Sequence, residues 1–128
     1  MKKNLVLLAL LVLVVSLVLS ACGTAEKSNF PAGKFIKSGE TDYGLKFNPD
    51  GTFSVFQGEN TYVTGTYKVD GTVFTETSND GGCDTNVNFN YTFDGSKLTF
   101  NYVGDPEKDA SCTGRYADFN NVTYTLSK

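Results

Sequence analysis

The stretch Val87-Asn88-Phe89-Asn90-Tyr91-Thr92-Phe93 is followed by Asp94-Gly95-Ser96-Lys97 and then by Leu98-Thr99-Phe100-Asn101-Tyr102. Apolar and polar residues alternate strictly on both sides of Asp94-Gly95. A period of two sends successive side chains to opposite faces of a strand, so each segment carries one greasy face and one wet one. Asp-Gly between such segments is a strong hairpin signal, because glycine accepts a positive φ at little cost. The stretch therefore predicts two antiparallel neighbours joined by a tight turn.

The same grammar extends in both directions. Leu45 and Phe47 share a face near 43–48, and Phe53 and Val55 do so near 52–57. Val63, Tyr67 and Val69 alternate with Thr64, Thr66 and Lys68, and Val122, Tyr124 and Leu126 close the chain. Weaker segments near 34–38 and 72–77 bring the count to eight strands. Asp50-Gly51 and Asp70-Gly71 repeat the hairpin signal between strands 2 and 3 and strands 4 and 5. Turns this short join only antiparallel neighbours. All three lie at one end of the sheet. The connections near 38–42, 58–60, 78–86 and 104–114 lie at the other. No stretch after the leader shows a helical period. The reading is an all-β, eight-stranded antiparallel up-and-down barrel, since closure removes two vulnerable edges and gives the aromatic faces a shared interior. A two-sheet sandwich is the alternative.

Before this domain the chain changes character. Lys2 and Lys3 precede a 17-residue apolar run from Leu5 to Ala21, an export-signal pattern. The run ends Leu19-Ser20-Ala21-Cys22-Gly23, which resembles the bacterial lipoprotein signal. That resemblance implies cleavage before Cys22 and a lipidated Cys22 as mature N-terminus. An uncleaved membrane helix and an ordinary cleaved signal are the competing readings. The expected organisation is a signal peptide over 1–21, a lipidated cysteine with a flexible tether over 22–33, and a barrel domain over 34–128. The cell membrane, met from its extracytoplasmic side, is the expected location.

Composition narrows the chemistry. The 128 residues include no histidine, so Ser-His-Asp and Cys-His catalysis and histidine-based zinc sites are excluded. Loss of Lys2 and Lys3 with the signal leaves nine basic residues against 14 acidic, a net charge of −5. An acidic surface repels phosphate backbones, which argues against a nucleic-acid partner. Membrane attachment then depends on the lipid. With Cys22 acylated, Cys83 and Cys112 remain as an even pair in an exported protein, on two connections at the same end of the sheet. A disulfide between them is expected, with two free thiols as the alternative.

The segments Leu45–Phe53, Gly65–Val69, Tyr91–Gly95, Leu98–Phe100 and Asp109–Arg115, with Cys83, resemble the small lipocalin-like domains of bacterial lipoproteins over about residues 33–128. The resemblance implies a calycin-type barrel. Gly33-Lys34-Phe35 stands where larger lipocalins carry Gly-x-Trp.

Candidate site residues follow. Phe47, Phe53, Phe89, Tyr91, Phe100 and Tyr102 either line a cavity for a small apolar ligand or fill the barrel as core, since eight strands enclose about that much space. Arg115, the only arginine in the chain, either clamps a ligand carboxylate or bonds loop carbonyls to close the barrel end. The acidic runs around Cys83 and before Cys112 lack EF-hand spacing and read as turn residues, so no metal and no cofactor is expected. The leading expectation is a non-enzymatic, membrane-anchored binding module, taking a small apolar ligand or recognising a surface through the long-loop end. The alternative is a structural or protein-interaction lipoprotein with a solid aromatic core.

Overall fold

In the computed structural model, residues 30–79, 83, 85–105 and 112–128 are described. The signal segment, Cys22 and tether residues 23–29 lie outside them, as do Asp80, Asp84, Glu107 and Asp109. The strands are β1 (Gly33–Lys37), β2 (Tyr43–Phe47), β3 (Thr52–Gln57), β4 (Asn60–Asp70), β5 (Val73–Ser78), β6 (Val87–Phe93), β7 (Lys97–Tyr102) and β8 (Val122–Leu126). They pair in chain order, all antiparallel, and the sheet closes on itself. Closure is made by β1 against β8, with Phe35 opposite Leu126 and Lys37 opposite Tyr124. The sandwich alternative is set aside by that pairing.

Alternation decides what lies inside. Phe35, Leu45, Phe47, Phe53, Phe74, Phe89, Leu98, Phe100 and Tyr124 are buried in one core cluster. Burying side chains of this size contributes about 1.5–3 kcal/mol each, an upper estimate for a chain already partly collapsed when unfolded. The turns fix the register. Asp94 Oδ1 accepts the backbone N–H of Ser96 at 2.9 Å and of Lys97 at 2.7 Å. Gly95 takes the positive φ of +96° that the turn requires.

Two places depend on a missing side chain. Gly44 faces outward on β2, and a Cβ there would run into the Phe35 carbonyl. Phe56, its cross-strand partner on β3, is buried over the gap, with Lys34 Nζ 4.5 Å from the ring centroid. An aromatic covering a strand glycine is a recognised way to make a tight bend stable. Gly65 faces inward, where the Phe53 ring and the Thr77 carbonyl occupy the space a Cβ would need.

Two features differ from the sequence reading. The connection expected as loop near 104–114 leads into a helix, α1 (Thr113–Phe119). Two turns of helix are too short to be stable alone, so nothing in the local sequence announces it and tertiary contacts hold it. Also, the segment expected as tether does not end at residue 33. Phe30 lies in the core and β1 begins at Gly33.

Candidate functional site

The long-loop end of the barrel is spanned by α1, which reaches from the β5–β6 side to the β1–β2 side. Arg115 and Phe119 are four residues apart, so they share one face of the helix. That face looks into the barrel. Phe119 packs at 5.1 Å from Phe89, 5.1 Å from Phe100 and 5.8 Å from Phe74, centroid to centroid. Rings at these separations, tilted, stacked or edge-on, leave this end of the interior filled.

Arg115 finds its carboxylate within the chain. Its Nη1 donates to Glu76 Oε2 at 2.8 Å and to the Thr85 carbonyl at 2.6 Å. The Ser78 hydroxyl donates to the other Glu76 oxygen. Glu76 is fully buried and Arg115 nearly so, at 0% and 4% exposure. A buried pair recovers its desolvation cost only with good geometry and further hydrogen bonds, of which the Thr85 carbonyl and the Ser78 hydroxyl supply two. Three residues before Arg115, Cys112 is joined by a disulfide to Cys83, with Cα atoms 5.1 Å apart. The bond staples the start of α1 to the β5–β6 connection beside the ion pair.

The other end of α1 is fastened by Asp118. Its carboxylate accepts from Tyr43 Oη at 2.7 Å and from Lys37 Nζ at 3.1 Å. Its carbonyl accepts from Tyr124 Oη at 2.6 Å. Burial first, and then Asp118, through its hydrogen bond and charge at Tyr43 and its charge at Tyr124, hold both phenols well above the ordinary tyrosine range. Both therefore stay protonated and remain donors at any physiological pH.

The residues singled out from sequence separate into three places. Phe47, Phe53, Phe89 and Phe100 are buried against other rings in the interior. Tyr91 lies at the tight-turn end, its hydroxyl donating to the Gly71 carbonyl at 3.3 Å. Tyr102 lies at the long-loop end, edge-on to Phe89 and 5.8 Å from the Tyr116 ring. Arg115 sits with the closing group at that same end. Sequence reasoning missed Glu76, Asp118, Phe30, Phe74 and Phe119. The even spacing of Phe74, Glu76 and Ser78 on β5 was the available signal for Glu76, since it puts a carboxylate on the inward face.

Among the described residues, the three large apolar side chains left most exposed are Tyr62 (62%), Val103 (43%) and Tyr116 (38%). Tyr62 is near the start of β4, Val103 just past the end of β7, and Tyr116 on α1. All three belong to the long-loop half of the barrel. Among the described residues no cluster of three acidic or sulfur ligands is placed to hold a metal ion, and no helix is long and apolar enough to cross a membrane. Compared with known proteins, the chain matches no family model, no curated protein and no solved structure.

Proposed function

We propose that this chain is a non-enzymatic recognition module of lipocalin-like build, lipid-anchored through Cys22 on the extracytoplasmic face of the cell membrane. It acts through the long-loop end of the barrel. The carrying observation is that Tyr62, Val103 and Tyr116 are all exposed at that end, while the interior candidates are occupied by one another. Exposed tyrosines on a rigid frame are well suited to contact, since they bring large area at low entropic cost. The strap of α1, stapled by the disulfide and two polar anchors, keeps that surface in one shape. β1 starts at the opposite end, so the tether leaves from the membrane side and the long-loop end faces outward.

A photo-crosslinking amino acid at Tyr116 of the full chain on intact cells tests this reading, with the same probe at Gly95 as control. A discrete adduct from position 116 and none from 95 is expected. No adduct from position 116, or equal capture from 95, overturns it. The second reading, a structural lipoprotein with a solid core, then stands, favoured by the ring-filled interior.

A further inference from the structure

Phe30 is alone in the core cluster in lying outside any strand or helix. It enters from the chain preceding β1 and closes the tight-turn end of the barrel. Five rings surround it: Phe47 at 5.0 Å, Tyr91 at 5.0 Å, Tyr67 at 5.2 Å, Phe74 at 5.2 Å and Phe100 at 6.4 Å between centroids. The contacts range from edge-on to stacked, a geometry suited to one neutral ring.

The walls of this cage are held independently of Phe30. Phe47, Phe74 and Phe100 stand on paired strands. Tyr67 Oη donates to the Asn48 carbonyl at 2.7 Å, and Tyr91 Oη to the Gly71 carbonyl, each tying a ring to a turn. An apolar cavity with fixed walls stays open when its occupant is removed, and takes up a small aromatic molecule. The occupant itself is carried on a short arm, Pro31-Ala32-Gly33. Gly33 has a φ of +146°, and a Cβ there would meet Leu126 Cδ1 at 3.0 Å. Only glycine accepts that turn readily, so the arm folds back over the barrel end at one defined joint.

We propose that the tight-turn end of the barrel is a receptor site for a small neutral aromatic molecule, held closed by Phe30 acting as a built-in competitor. Binding expels Phe30 and frees residues 30–33 from the barrel end. The inference goes beyond recognition at the opposite end and does not rest on it. A self-occupied site weakens apparent affinity by the fraction of molecules that are open. Removing the competitor therefore strengthens binding.

Toluene, the phenylalanine side chain as a free molecule, is the probe. The full chain carrying Phe30→Ala is expected to bind it saturably, with a rise in melting temperature, at about tenfold lower concentration than the unaltered chain. A folded Phe30→Ala chain that shows no saturable binding overturns the proposal, and so does equal binding by both chains. Truncating a core ring can by itself open such a cavity, so the otherwise unaltered chain with 4-fluorophenylalanine at position 30 decides. Movement of its fluorine resonance to the solvent-exposed position on adding toluene supports exchange, and an unmoved resonance overturns it.

Discussion

Glu76 and Arg115 form a buried ion pair, and the loss of either one alone is costly. Removing one partner of a buried pair leaves a charge with neither water nor counter-ion. Arg115→Met or Glu76→Leu should each cost about 3–5 kcal/mol in urea unfolding. The double substitution should cost clearly less than the two together, because the apolar pair leaves no charge stranded. Additive losses would show that the two residues act separately. The buried phenols make a second statement at this scale. A tyrosine whose folded pKa lies above its unfolded value of 10 adds stability that is complete below pH 10 and is lost as pH climbs further. Tyr124 is fully buried, so it alone should remove about 1.4 kcal/mol of stability for each pH unit above 10. Melting curves from pH 8 to 11.5 check this: a flat profile, then a decline. A profile flat throughout contradicts the assignment.

The strands were legible because one rule governs them all. Every second residue of β6 and β7 is apolar or aromatic, Asp-Gly marks the turns, and a slip of one residue would expose the whole aromatic face. Where that rule stops, so did the reading. α1 is seven residues long and carries no side-chain cap at its start. Its existence is a property of contacts far along the chain, Arg115 with Glu76 39 residues away, Asp118 with Tyr43 75 away, and Phe119 with Phe74 on β5. No local pattern reports such contacts. Phe30 went unread for a related reason, since a single aromatic in a polar segment has no period. Two predictions belong to these elements. Gly44→Ala should destabilise the barrel by about 3 kcal/mol, because the obstacle is the Phe35 backbone and cannot step aside. Replacing Cys83 and Cys112 by serine should cost about 3.5 kcal/mol, the expected effect of opening a loop of this length. Denaturant midpoints with and without the substitution measure both, and an unchanged midpoint contradicts either one.

At the scale of the whole molecule, the barrel is a plugged cylinder. Phe30 fills one end and α1 spans the other, and eight strands leave an interior just wide enough for these side chains. That arrangement is the ground for proposing that the chain acts through the outer surface around Tyr116 and Val103, and that the proposed interior site opens only when a plug is withdrawn. Cys22→Ala should move the full chain from the membrane to the soluble fraction on cell fractionation, and its retention would mean that another segment anchors it. All of this requires the sheet to meet itself. Antiparallel partners that share no hydrogen bonds bring their Cα atoms to about 4.5 Å, close enough for strong Hα–Hα magnetisation transfer. Nuclear Overhauser spectra of the oxidised protein should therefore show Hα cross-peaks between Phe35 and Leu126 and between Lys37 and Tyr124, the facing residues of β1 and β8. Spectra that lack both, with the outer amides of β1 and β8 exchanging as freely as open edges, would contradict a closed barrel and everything built on it.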